Sequence, residues 1–213
     1  MAFKDRADAG RQLAQRLMTF AGRDDVLVLG IPRGGVPVAY EVANALHAPL
    51  DIFLARKLGV PGHEELAFGA VAAGDGMFLD DEIIRATGVS DQQIACVAAR
   101  VRLELDRRAQ AYRGGRAPLD VRGKTVILVD DGVATGASLY AALQALRNMH
   151  PETLVVAVPV ASRAACGRLE READMFVAVQ MPRDFYAVGQ YYREFGQTTD
   201  EEVIELLGRL RCA

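Results

Sequence analysis

Residues 126–138 read VILVDDGVATGAS. A run of branched apolar residues stops at two adjacent aspartates, Asp130 and Asp131. Gly132, Val133, Ala134, Thr135, Gly136, Ala137 and Ser138 follow, a stretch of small side chains that leads into a helix-like pattern. Adjacent carboxylates repel each other and are costly to bury, so each calls for hydroxyl donors or a cation. Vicinal sugar hydroxyls and Mg²⁺ both qualify. The turn supplies the complementary chemistry. Backbone N–H groups at a helix start are unpaired and carry partial positive charge, and Thr135 and Ser138 add hydroxyl donors, so a phosphate fits there. A phosphate site one turn away from a hydroxyl-and-metal site describes a ribose 5-phosphate. Any one of these residues alone is an ordinary helix cap; the whole string points to a ligand.

Commoner phosphate and metal motifs do not fit. Gly30 and Gly35 have the glycine spacing of a Walker A loop, but Val36-Pro37 stands where Lys and Ser/Thr are required. The dinucleotide fingerprint G-x-G-x-x-G is absent from both loops, and an EF-hand needs acids at alternating rather than adjacent positions. His47 and His150 have no ligand partners in sequence.

The elements that must position these residues alternate. Residues 4–21 carry helix-spaced apolar positions. Residues 26–31, VLVLGI, read as a buried strand, followed by PRGG and a helix from Val36 to Leu46. Residues 50–55 read as a second strand ending in Arg56-Lys57, residues 58–66 as a loop, and residues 67–80 as a β-ribbon turning at Gly74-Asp75-Gly76. The longest amphipathic helix spans 91–112. Strand 125–130, helix 138–148, strand 154–160, helix 162–172 and strand 175–180 complete the alternation. This pattern predicts an α/β fold with a doubly wound, mainly parallel sheet, in which ligands sit beyond the C-terminal strand ends. Three such ends carry unusual residues: Pro32-Arg33-Gly34-Gly35, Arg56-Lys57 and Asp130-Asp131.

Just over half of the 213 residues, 51%, are apolar, enough for a sizeable core, and the net charge of −3 argues against a general nucleic-acid coat. The three cysteines have no metal-ligand spacing, so a reduced, cytoplasmic protein is expected. No stretch approaches the ~18 uninterrupted apolar residues of a membrane span, and the first residues lack an apolar signal core.

The opening segment closely resembles the 5-phosphoribosyl-1-diphosphate (PRPP) loop of the type I phosphoribosyltransferases. GIPRGGVP resembles that family's diphosphate-binding loop, and ARKLG is similar to the Arg-Lys at the base of its mobile catalytic loop. The likeness runs from about residue 24 to 180, and the whole chain is close to stand-alone phosphoribosyltransferases of unassigned acceptor. It implies a core over 1–180, with a mobile loop and ribbon at about 58–80, and a C-terminal hood and tail helix over 181–213. It also implies transfer of 5-phosphoribosyl from PRPP to a nitrogenous acceptor, a nucleobase or other amine, by a Mg²⁺-dependent, cytoplasmic homodimer acting in nucleotide metabolism. Arg33, with the N–H groups of Gly34 and Gly35, would grip diphosphate, and Arg56 and Lys57 would assist. Asp130 and Asp131 would hold the ribose hydroxyls, directly or through Mg²⁺, while residues 132–138 would hold PRPP and its 5-phosphate. Ala134 stands where 6-oxopurine enzymes usually carry an aspartate, so guanine and hypoxanthine are expected to be poor acceptors. Phe185, Tyr186, Tyr191 and Tyr192 would either stack a base or form a small core of their own, and His63 is either a proton carrier or a solvated loop residue. The rival reading is a regulator of the same fold that binds PRPP or nucleotides. Its expected basic face is not evident, because Glu104 and Asp106 interleave the arginines of helix 91–112.

Overall fold

The computed structural model describes residues 2–73 and 76–210; Gly74 and Asp75 of the expected ribbon turn, and Cys212, lie outside the described residues. Strands β1 (Val26–Gly30), β2 (Leu50–Ile52), β6 (Thr125–Val129), β7 (Thr153–Val160) and β8 (Met175–Gln180) form one parallel sheet in the order β2-β1-β6-β7-β8. Their apolar residues alternate between the two faces. Val26 and Val28 of β1 and Ile127 and Val129 of β6 pack on one side, with α1 (Arg6–Arg16) and α2 (Gly35–Leu46). Leu27, Leu29, Val126 and Leu128 pack on the other, with α5 (Ala137–Arg147) and α6 (Arg163–Glu172). Every residue of β1 and β6 is buried, as two covered faces require. The α/β, mainly parallel fold is therefore as the sequence implies.

The strand order reverses direction between β1 and β6. Gly30 and Val129 are register partners at the C-terminal ends of these neighbours, so the loops 31–34 and 130–136 leave the sheet side by side. That is the switch-point crevice where ligands bind in open α/β sheets.

The expectation for residues 50–66 is corrected. β2 ends at Ile52, and Arg56-Lys57 do not terminate it. They belong to β3 (Ala55–Val60), which pairs antiparallel with β4 (His63–Ala72) and, through it, with β5 (Met77–Leu79) in a separate three-stranded sheet. The expected loop at 58–66 is thus mostly the β3–β4 hairpin, turning at Pro61-Gly62, where Gly62 has φ +82°. Gly, Pro and charge in LGVPGHEEL suggest a loop, but Leu58 and Phe68 are fully buried under the long helix α4 (Asp91–Arg113), and that burial outweighs the local signal. A short helix, α3 (Asp81–Thr87), capped by Asp80, lies in a stretch the sequence left unassigned. α4 itself opens with a Ser90/Gln93 capping box and closes at left-handed Gly114. The acidic helix expected from Asp200 is α7 (Asp200–Arg209).

A buried ion pair fastens α4 to the sheet. The Nε of Arg113 donates to Asp51 Oδ1 and Oδ2 at 3.0 and 3.1 Å, and its Nη2 donates to the Ile52 carbonyl at 3.0 Å. The amides of Ile52 and Leu119 also donate to Asp51. Among the described residues no helix is long and apolar enough to cross a membrane.

Removing one partner of this pair strands the other charge in the interior. Arg113→Ala is expected to lower stability by about 3–5 kcal/mol, read as a fall in Tm; a melt within a degree of the parent would show that the pair carries no such role.

Candidate functional site

The site forms where two loops cross beyond β1 and β6. After Gly30 the chain passes through a cis Pro32–Arg33 peptide and enters α2 at Gly35. After Val129 it runs through Asp130-Asp131 into α5. The loops are in van der Waals contact. A Cβ on Gly34 would lie 2.0 Å from Asp131 Oδ2, and one on Gly35 would lie 2.7 Å from the Val129 carbonyl oxygen and 2.9 Å from Asp130 Cα. Gly35 is thus needed for the backbone crossing itself, whatever it does for a ligand, while Gly34 leaves room for the Asp131 carboxylate.

Beside the crossing is a cup of about 190 Å³ lined by Asp130, Gly132, Val133, Ala134, Thr135, Gly136, Ala137, Ser138 and Leu139, with Val188 from the C-terminal segment. The cup's back wall is fixed to β7. The Val133 amide donates to the Val160 carbonyl, the Ser162 amide donates to the Val133 carbonyl, and the Ser162 hydroxyl donates to the Ala134 carbonyl. Gly136 has φ +78° and turns the chain into α5. The first helical bond runs from the Tyr140 amide to the Gly136 carbonyl at 2.7 Å, and no side chain caps this end. The amides of Ala137, Ser138 and Leu139 therefore have no partner among the described residues. Neither do the exposed hydroxyls of Thr135 and Ser138. By contrast α1, α3, α4, α6 and α7 are all capped by side chains, from Asp5, Asp80, Ser90, Ser162 and Thr199.

The two aspartates differ. Asp130 faces the cup, and its Oδ1 accepts the Asp131 amide at 2.9 Å. Burial pushes its carboxyl well above the usual carboxylate range, and the neighbouring Asp131 charge pushes it further. Asp131 is turned away and ion-paired: Arg6 Nε donates to its Oδ2 at 2.8 Å. Burial raises the Asp131 carboxyl too, with the Arg6 hydrogen bond pulling it back down. Arg6 also donates to the Gly196 carbonyl at 2.7 Å, and its guanidinium lies 4.0 Å over the Phe195 ring. Tyr192 donates its hydroxyl to the Asp131 carbonyl.

Arg56 and Lys57 border the cup from the hairpin side. With Arg100 of α4 they line a cavity of about 470 Å³ that shares Ala137 and Ser138 with the cup. Arg56 donates to Glu104 at 2.8 Å. Arg33 is not among the cup residues; its Nη1 lies 3.9 Å from Asp200 Oδ1. His63 is exposed at the start of β4. Of the aromatic candidates, Tyr192 is buried against Phe3 and stacked on Phe195, while Phe185 stacks on Tyr191. Tyr186, at 84%, is the freely exposed ring among the four. Sequence reasoning missed Arg6 and Arg100, which lie on helices of mixed charge, and Val188, which opens a short 3-10 turn. No local signal marks any of them.

A parallel sheet with a cup at its switch point, an uncapped helix end and a carboxylate beside it define an α/β protein with an anion-accepting crevice at its strand ends. The chain belongs to the phosphoribosyl transferase family: the family model described as "Phosphoribosyl transferase domain" matches residues 3–194. It is 46% identical over 207 residues to a Mycobacterium tuberculosis (strain ATCC 25618 / H37Rv) protein named "Putative phosphoribosyl transferase Rv0571c". That alignment takes in 97% of this chain but 46% of the relative, so the chain spans about half the length of the curated relatives it matches. The crystal structure of TT1426 from Thermus thermophilus superposes with a TM-score of 0.89 at 46% identity, covering 99% of both chains. A shorter likeness, 32% identity over 131 residues, links 60% of the chain to 66% of "Bifunctional protein PyrR" of Chloroflexus aurantiacus.

Two outcomes follow from the crossing. Gly35→Ala should cost on the order of 1–3 kcal/mol, because backbone atoms must move, whereas Gly167→Ala, where an added Cβ meets nothing within 4 Å, should be neutral or slightly stabilising; equal melts for the two variants would contradict this packing. The second concerns pH. The folded state holds the Asp130 proton more tightly than the unfolded chain does, so stability falls as pH rises from about 4 through the raised folded value. Asp130→Asn removes that loss. Its Tm should exceed the parent's at pH 7, and the gain should vanish near pH 4; a constant difference across this range would rule out titration as its source.

Proposed function

We propose that this chain binds PRPP and transfers its 5-phosphoribosyl group to a nitrogenous acceptor such as a nucleobase, with release of diphosphate. The observation that carries the reading is the cup: three partnerless amides at an uncapped helix start, two partnerless hydroxyls, and Asp130 at the edge. The amides of Ala137, Ser138 and Leu139 with the Thr135 and Ser138 hydroxyls would receive the 5-phosphate. Asp130 would then stand toward the ribose.

Among the described residues no group of three or more His, Cys, Asp or Glu could hold a metal ion. A single carboxylate suits Mg²⁺ that takes its remaining ligands from substrate oxygens and water, so Asp130 would be its protein ligand. Bound there, Mg²⁺ would neutralise charge growing on the leaving diphosphate. The chain's own part is to orient the ribose and to supply fixed cations where that charge grows. Lys57 and Arg56 are placed to do so from the cavity that shares Ala137 and Ser138 with the cup. The Arg33 guanidinium makes one loose contact, at 3.9 Å, with the exposed Asp200, a kind of pair worth little, and would swing to the diphosphate. The C-terminal segment from 181 on, which reaches the cup through Val188, would form the acceptor side as a distinct hood over the 1–180 core. A cytoplasmic homodimer is the setting we infer for it.

Titration calorimetry with Mg–PRPP, followed by diphosphate release across a panel of nucleobases and small amines, tests the reading. Binding in the micromolar range and release with one acceptor class are expected, with guanine and hypoxanthine slow because Ala134 offers no carboxylate. Arg33→Ala should cost roughly 10²–10³-fold in turnover and much less in binding. Absence of PRPP binding at millimolar ligand would overturn the proposal.

A further inference from the structure

Both aspartates of this loop look equivalent in sequence, yet they lie in different surroundings. Asp130 lines the cup, and among the described residues no cation pairs with it. Asp131 does not line the cup. Its carboxylate is held by Arg6, at 2.8 Å, with both side chains mostly buried, 16% and 14% exposed. Its carbonyl takes the Tyr192 hydroxyl. The Gly34 backbone lies so close to Oδ2 that a Cβ there would overlap it, which closes the third side. Freeing Asp131 for a ligand would strand Arg6, whose remaining contacts are the Gly196 carbonyl and the Phe195 ring. Parting such a pair is strongly unfavourable.

We propose that the two acids have separate tasks: Asp130 alone meets the ligand's hydroxyls or cation, while Asp131 and Arg6 form a fixed ion pair that positions the loop and ties the 192–196 segment against it. This rests on the PRPP reading and deepens it. Arg6 is thereby a positioning residue. It joins the N-terminal helix, the PRPP loop and the C-terminal segment at one guanidinium, through two hydrogen bonds and one ring face, a combination lysine cannot reproduce.

The test compares Asp130→Asn, Asp131→Asn, Arg6→Gln and the Arg6→Gln/Asp131→Asn double variant. Each is melted, and each is titrated with Mg–PRPP and with inorganic phosphate. Phosphate reports the cup alone, and the ratio of the two affinities reports the sugar and metal contacts. Asp130→Asn should lower Mg–PRPP affinity roughly tenfold to a hundredfold without weakening phosphate, so the ratio collapses, and its Tm should not fall. Asp131→Asn and Arg6→Gln should each lower Tm, shift both affinities by a similar small factor and keep the ratio. The double variant leaves neither charge stranded, so it should lose less Tm than the two single losses added together. A folded Asp131→Asn, or a double variant, whose ratio collapses as far as that of Asp130→Asn would overturn the inference and make Asp131 a ligand contact. Failure of the unaltered protein to bind Mg–PRPP would instead overturn the functional reading, leaving the ion pair as structure only.

Discussion

The close approach of two loops governs this molecule. At the ends of β1 and β6 the PRGG turn and the DDG turn touch, Gly35 at backbone distance from the Val129 carbonyl and Asp130 Cα and Gly34 against the Asp131 carboxylate. Neighbouring parallel strands put the two turns side by side, and the reversal of strand order leaves the crevice above them open. A side chain at Gly35 would push the turns apart, and one at Gly34 would displace the Asp131 carboxylate. The helix end of α5 and Asp130 would then lose the relation that makes a cup.

Around that crossing the structure spends stability on chemistry. Asp130 is partly buried with no ion-pair partner among the described residues, and helix α5 begins without the side-chain cap that five other helices have. Each feature costs folding free energy in the unliganded protein. Both costs would be recovered by the proposed ligand, with an anion on the amides and a hydroxyl or cation on the carboxylate. Such local violations of otherwise consistent rules are expected where a ligand binds. The neighbouring Asp131 shows the alternative, a carboxylate supplied with its own internal cation and closed in by Arg6, Gly34 and Tyr192.

The N- and C-terminal segments meet on this same spot. Phe3 bridges to Tyr192, Arg6 reaches Asp131 and Gly196, and Tyr192 reaches the Asp131 carbonyl. Most of the tail's aromatic residues are consumed in this packing: Tyr192 joins Phe3, Ala9 and Val160 in a small core, with Phe185 and Tyr191 packed against it. The rings of the tail are therefore chiefly a scaffold, with Tyr186 left exposed.

Much of this was legible in the chain alone. The parallel sheet followed from fully apolar runs such as VLVLG and TVILV, because strands covered on both faces need no polar alternation. The cup followed from VDDGVATGAS, because a strand, a positive-φ glycine and a helix start are consecutive residues whose geometry is local. The hairpin at 55–72 was not legible, since Gly, Pro and charge at its turn read as a loop until Leu58 and Phe68 find α4 above them. Nor were the partners of the two aspartates: Arg6 lies 125 residues from Asp131 in sequence, and nothing near either one encodes the meeting. Sequence determined which groups could hold a phosphosugar. Only the tertiary fold decided which carboxylate stays open to the cup and which is neutralised by an arginine, because pairing a buried charge depends on what the distant chain brings within about 3 Å.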